Sequence, residues 1–285
     1  MDAVVDGAGG SAGPYIEKTG KRRVIALSAR LCAVTDVGRL RDHNEDTFFV
    51  SSEGQILVVA DGMGGHAAGE IASALAVEAV VEFLDAERQK EITDAPDAAA
   101  AAVFLQAVRL AHERVLESAT HNPHQRDMGT TLLIGYVNGD TLHTCHVGDV
   151  RCYLHSGGAL QQLTRDHSVV EMLVRAGEIP PEEARLHPRK NEILQAVGLP
   201  NRLFPSVASH RLAPGDRVLL CSDGLWEALS DGEIGVLLGW QGSMRQCAIQ
   251  LVNRANEAGG NDNITVVLYE HTAVQGVSEP AFTSE

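Results

Sequence analysis

Two continuous apolar runs, Ile56-Leu-Val-Val-Ala60 and Val218-Leu-Leu-Cys221, each stop just before an aspartate-glycine pair: Asp61-Gly62 directly, and Asp223-Gly224 after Ser222. Short apolar runs without alternation fit strands covered on both faces. Such strands need a second layer on each side. Thr131–Val137 and Thr141–Val147 flank Asn138-Gly139-Asp140, a tight-hairpin signal, and Val150–Leu154 and Ala159–Leu163 flank Ser156-Gly157-Gly158. Thr47–Val50 and Ile264–Tyr269 add two more strand-like runs. Consecutive hairpins make the sheets antiparallel.

Three segments have helical period. Ile71, Leu75 and Ala79 form one stripe with Ala76, Val80 and Phe83 beside it; Phe104, Ala107, Val108, Ala111 and Val115 form a second. Met244, Cys247, Ala248, Leu251, Val252 and Ala255 form a third, with Ser243 and Gln246 in capping-box positions and Gly259 just past its end. Hairpins with amphipathic helices predict an α+β chain, its sheets packed on each other and its helices outside.

The aspartates fall where that architecture can gather them. Asp61, Asp149, Asp223 and Asp262 each stand at the edge of an expected strand, and Arg41-Asp-His-Asn-Glu45-Asp46 precedes another. A single strand followed by Asp-Gly is also an ordinary turn. The recurrence is less ordinary, because carboxylates gathered at one sheet edge repel unless a cation separates them. Hard divalent cations take oxygen ligands, which points to Mg²⁺ or Mn²⁺. Glycine next to the aspartate lets the backbone approach an ion.

Composition narrows the function. The chain of 285 residues carries 23 Lys+Arg against 38 Asp+Glu, a net charge of −15, which disfavours nucleic acid and anionic membranes as partners. No apolar run reaches the roughly 18–20 residues of a spanning helix, and the start, MDAVVDGAGGSAG, has no secretory pattern. Cys32, Cys145, Cys152, Cys221 and Cys247 form no CxxC pair, which suits buried thiols in a reducing cytoplasm. Residues 1–22 and 271–285 are expected to be loose tails around one domain, 23–270.

Arg41-xx-Asn44-Glu45-Asp46, Val59-Ala-Asp-Gly-Met-Gly-Gly-His66, Gly129-Thr-Thr131, Val147-Gly-Asp149, Ser222-Asp-Gly-Leu-Trp226 and Asp262-Asn-Ile-Thr265 occur in this order. The set resembles the metal-dependent PP2C-type (PPM) protein serine/threonine phosphatases. Leu163–Ser168, Arg175–Ile179, His187-Pro188 and Ala196–Gly198 resemble the flap of bacterial members, placed here at 164–200. The resemblance implies a four-layer α-β-β-α sandwich, two antiparallel sheets flanked by helix pairs. It implies two Mn²⁺ or Mg²⁺ ions, with a third in some bacterial members. Asp61 would bridge both ions and the Gly62 carbonyl would bind the second. Asp223 and Asp262 would hold the first. Glu45 and Asp46 would act on metal-bound waters or as outer metal ligands, Asp149 with Asp223 would hold the third ion, and Arg41 would bind the substrate phosphate. The activity implied is hydrolysis of phosphoserine and phosphothreonine by direct attack of an activated water, reversing a bacterial Ser/Thr kinase, in a cytoplasmic monomer.

Met63 stands where animal members carry a histidine that is a candidate leaving-group acid, so a metal-bound water, His66 and His43 are weighed for that role, and Glu227 as a further acidic ligand. The flap's Arg175, Arg185, Arg189 and Lys190 are either a solvated face or an attraction for phosphoproteins. A catalytically dead binding module of the same fold would have lost metal carboxylates, and Asp61, Asp223 and Asp262 are all present. A phosphoacceptor domain would need alternating parallel β/α units. Gly62-Met-Gly-Gly65 lacks the Lys-Ser/Thr ending of a nucleotide-binding loop.

Overall fold

The computed structural model describes residues 15–16, 22–28, 30–52, 54–65, 68–84, 92, 97–200 and 202–272. One sheet runs β1 (Tyr15–Ile16), β4 (Asp46–Val50), β5 (Ile56–Met63), β7 (Leu132–Asn138), β8 (Thr141–Val147), β11 (Ser206–Arg211), with β6 (Gly129–Thr130) pairing to the end of β5. The other runs β10 (Ala159–Gln162), β9 (Arg151–Ser156), β12 (Arg217–Cys221), β13 (Ile264–Glu270), β3 (Leu31–Asp36), β2 (Arg22–Ser28). These pairings are antiparallel throughout.

The side-chain alternation explains why the strands read as unbroken apolar runs. In β5, Leu57 and Val59 enter the core between the sheets with Leu133 and Leu220, while Ile56, Val58 and Ala60 meet α1 (Ala68–Phe83) and α2 (Asp97–His121). In β12, Val218 and Leu220 face inward, and Leu219 and Cys221 meet α6 (Asp231–Leu238) and α7 (Met244–Glu257). The result is the expected α-β-β-α sandwich. Burying each of these side chains contributes about 1.5–3 kcal/mol. All five cysteines are free and buried. No helix among the described residues is long and apolar enough to cross a membrane.

Both expected hairpins form, β7–β8 and β9–β10. At α7, Ser243 Oγ accepts the Gln246 N–H and the Gln246 side chain accepts the Ser243 N–H, each at 3.2 Å. The sequence did not announce β2, β3, β11 or α6. β11, Ser-Val-Ala-Ser-His-Arg, is a polar edge strand, and α6 carries Gly232 and Gly235, which lower helix propensity. β5 runs two residues past Asp61, because β6 supplies partners for Gly62 and Met63. Within the expected tails, Tyr15–Ile16 pairs with Val50 and Phe49, and His271 is buried with Nε2 2.9 Å from Asp140 Oδ1. Residues 1–14, 17–21 and 273–285 lie outside the described residues.

Within the 164–200 segment, α3 (Val169–Ala176) is capped by Ser168, and α4 (Pro181–Ala184) follows. The basic residues beyond it are engaged: Arg189 forks onto Glu192, Lys190 Nζ is 2.9 Å from Glu227, and Arg185 donates to the carbonyls of Trp226 and Leu229. The 164–200 segment is thus tied to the turn after β12.

Candidate metal centre

β4 and β5 place Asp46 directly across from Asp61. The Asp61 backbone is pinned by neighbouring threonines: its N–H donates to Thr131 Oγ1 at 3.0 Å, and its carbonyl accepts from Thr131 N–H and Thr130 Oγ1, both at 2.8 Å. Asp149 sits in the turn from β8 to β9, Asp223 opens α5 (Asp223–Trp226) at the end of β12, and Asp262 immediately precedes Asn263 and β13. Ser222 joins the two sheets by donating to Asp46 Oδ2 at 2.7 Å. Asn263 Oδ1 accepts the Glu45 N–H at 2.8 Å, and its Nδ2 donates to the Val37 and His43 carbonyls, both at 2.9 Å. That knot holds the loop bearing Arg41 and Glu45 against the start of β13.

Arg41, Glu45, Asp61, Gly62, Asp149, Asp223 and Asp262 line one cleft of about 280 Å³, together with Met63, Gly64, Thr131, Asn191 and Ile193. Asp46 is not among the lining residues; it lies behind, buried. Arg41 is half exposed and donates to Asp262 Oδ2 at 2.7 Å. Of the two histidines weighed as acids, exposed His43 does not line the cleft, and His66 lies outside the described residues. Glu227 is held by Lys190.

The electrostatics are severe. Burial, then Asp46, Asp223, Asp149 and Asp262, hold Asp61 well above the ordinary carboxylate range. Asp223 is raised likewise, by burial first and then by Asp149 and Asp262. Burial pushes Asp149 up to about 7, with Asp166 adding to it, and burial pushes Asp46 to about 7 despite the Ser222 hydrogen bond. Glu45 is raised by burial, with Arg41 and then His43 opposing. Asp46 Oδ1 and Asp223 Oδ1 are buried with no hydrogen-bond partner among the described residues. Orphaned carboxylate oxygens inside a ring of like charge fit hard cations. Among the described residues no three carboxylate, histidine or cysteine side chains form a single-ion cage. The donors are spread round the cleft, which suits Mg²⁺-like ions that keep several waters and take one or two carboxylates each.

The glycines after the aspartates have a reason the sequence did not show. A Cβ at Gly62 would overlap the Gly69 carbonyl at the start of α1, and one at Gly224 would overlap the Asn263 carbonyl. They let neighbouring segments close around the site. Gly62→Ala is expected to cost about 3 kcal/mol in urea unfolding, since backbone must move; a cost under about 1 kcal/mol would refute this packing argument.

Sequence reasoning did not single out Thr131, Ser222, Asn263 or Asn191 for a role. The first three lie within the quoted motifs, Ser222 and Asn263 beside expected site residues, but their hydrogen bonds cross between distant strands. Asn191 reaches the cleft from the 164–200 segment, and its sequence neighbourhood carries no signal.

The protein phosphatase 2C family model matches residues 39–268. The serine/threonine phosphatase stp of Listeria innocua is 37% identical over 245 residues, spanning 85% of this chain and 95% of that protein. The crystal structure of the Mycobacterium tuberculosis serine/threonine phosphatase PstP/Ppp is similar, with a TM-score of 0.77 and 36% identity over 85% of this chain and 98% of that one. The catalytic domain of serine threonine protein phosphatase PstP, solved in complex with two manganese ions, gives a TM-score of 0.74 and 35% identity, over 85% and 98% of the two chains.

Proposed function

The chain belongs to the protein phosphatase 2C family, and from that premise we infer a divalent-metal-dependent phosphatase that removes phosphate from phosphoserine and phosphothreonine in proteins. The observation that carries this reading is the cleft itself: Asp61, Asp149, Asp223 and Asp262 line it together, with the unpartnered Asp223 Oδ1 among them and Arg41 alongside.

Asp61, the Gly62 carbonyl, Asp223 and Asp262 would hold two ions in the cleft. Glu45 would orient water from the cleft wall, Asp46 would support Asp61 from behind it, and Asp149 with Asp223 would hold a third ion. Bound Mn²⁺ or Mg²⁺ supplies Lewis acidity, lowering the pKa of water and offsetting phosphate charge. The protein's own residues do the rest. Arg41 carries a planar fork of five donors, so its contact with Asp262 leaves it able to grip phosphate oxygens. Thr131, Ser222 and Asn263 hold the acidic backbone segments still, which keeps the reacting geometry prepaid. Domain 23–270, with 164–200 as a flap over the cleft, would act as a cytoplasmic monomer on phosphoproteins, a Ser/Thr kinase among them.

The test is phosphate release from a phosphothreonine peptide by the purified chain, with EDTA, Mg²⁺ and Mn²⁺ in parallel. Release that requires a divalent ion is expected. Folded protein that turns over equally in EDTA, or is inert with every ion, would overturn the reading in favour of a binding module.

A further inference from the structure

Arg151 opens β9 two residues after Asp149, yet it does not line the cleft. Its guanidinium forks onto Asp166, with Nε at 3.0 and 3.1 Å and a terminal nitrogen at 2.6 Å. The other terminal nitrogen donates to Tyr153 Oη at 3.0 Å, and that hydroxyl donates to Asp231 at 3.3 Å. Its Cζ lies over the Trp226 ring, 3.6 Å from the ring centre. Trp226 closes α5, three residues after Asp223, and its indole N–H donates to the Asp149 carbonyl at 3.0 Å. Arg185, from the 164–200 segment, donates to the Trp226 carbonyl on the same turn.

These contacts form a closed circuit. Asp149, in the turn after β8, and Asp223, at the start of α5, repel each other, and the Trp226 indole links the α5 turn to the Asp149 backbone. Arg151 presses on that link from one side and holds Asp166, at the root of the 164–200 segment, on the other. Arg151 and Asp166 are nearly buried, with side-chain exposures of 16% and 8%. A buried pair of this kind is weak evidence for stability alone, because desolvation offsets the attraction. Its geometry is the informative part, since fork and stack together fix the position of a ring in a way a lysine cannot.

We propose that Arg151 is a positioning residue: clamped between Asp166 and Trp226, it sets the spacing of Asp149 and Asp223 and so the affinity of the divalent ion they share, and it ties that spacing to the 164–200 segment. The inference rests on the reading that Asp149 and Asp223 bind an ion.

Mn²⁺ titration calorimetry on the full chain tests it, with melting temperature checked for each variant. Asp149→Asn first identifies the class of ions that depends on Asp149. Arg151→Lys, which keeps charge but loses fork and stack, is expected to weaken that class by about 10–100-fold and leave the other ions within about twofold. Trp226→Phe, which keeps a stacking face and loses the N–H to Asp149, is expected to weaken the same class. A third measurement needs no change at the clamp: the chain has two tryptophans, so in Trp240→Phe the emission belongs to Trp226 alone and should change with the midpoint of the Asp149-dependent class. Folded Arg151→Lys or Trp226→Phe with unaltered ion affinities, all classes weakened alike, or Trp226 emission unmoved through the Asp149-dependent class would each overturn the proposal. If Asp149→Asn removes no class, the metal reading of Asp149 fails and the proposal falls with it.

Discussion

Asp61→Asn and Asp223→Asn should each lower phosphate release from a phosphothreonine peptide by about 10³-fold or more, and each should raise the melting temperature of the chelated protein at pH 8. The two halves have one cause. Burial raises both side chains most, and repulsion from Asp46, Asp149 and Asp262, pressed around them, adds to it. Without cations, removing one charge relieves the others; with cations, it removes a ligand. Loss of several kcal/mol of charge stabilisation corresponds to about 10³ in rate, at 1.36 kcal/mol per tenfold. The expected gain in chelated stability is on the order of a few kcal/mol, or roughly 5–10 °C. Activity assays and circular dichroism melts on the same preparations check it. Variants that lose activity and also melt lower in EDTA would show that the carboxylates are structural, not a strained ligand set.

Mg²⁺ should raise the melting temperature far more at pH 8 than at pH 5. Asp46 and Asp149 titrate in the fold at about 7, both chiefly because of burial, against about 3.9 when unfolded. The folded state therefore holds more protons across that window. The favourable contribution of these groups is complete below about pH 4 and is lost as pH rises through about 7. Metal-free protein is weakest where the cluster is fully charged, and there the cation has most repulsion to cancel; at pH 5 protons already do so. Comparing melts with and without the ion at each pH cancels groups far from the cluster. Equal shifts at both pH values would contradict this account.

The fold was legible where its signals are local. A continuous apolar run reports cover on both faces of a strand, and β5 and β12 prove to be covered in that way, by the second sheet within and helices without. Hairpin turns and the Ser243–Gln246 box are likewise written within a few residues. β3 was harder to read: Leu31-Cys-Ala-Val34 is a short run with two weak strand formers, and pairing with β2 and β13 on either side makes it a central strand.

The sequence by itself determined the chemistry available: carboxylates at strand edges, a nearby arginine, and no thiolate or basic surface to suggest another reaction. It also determined their order along the chain, which carried the family resemblance. Tertiary structure alone decided which groups share a cleft, that Asp46 stands behind it while Asn191 enters from the 164–200 segment, and that Gly62 and Gly224 are required by neighbouring carbonyls. It also decided that Arg185 and Lys190 are paired with the turn after β12. The physical reason is range. Strand period and capping act over a few residues, whereas the Ser222–Asp46 and Asn263–Glu45 bonds join residues 176 and 218 positions apart, and only the packed sheets bring such partners within reach.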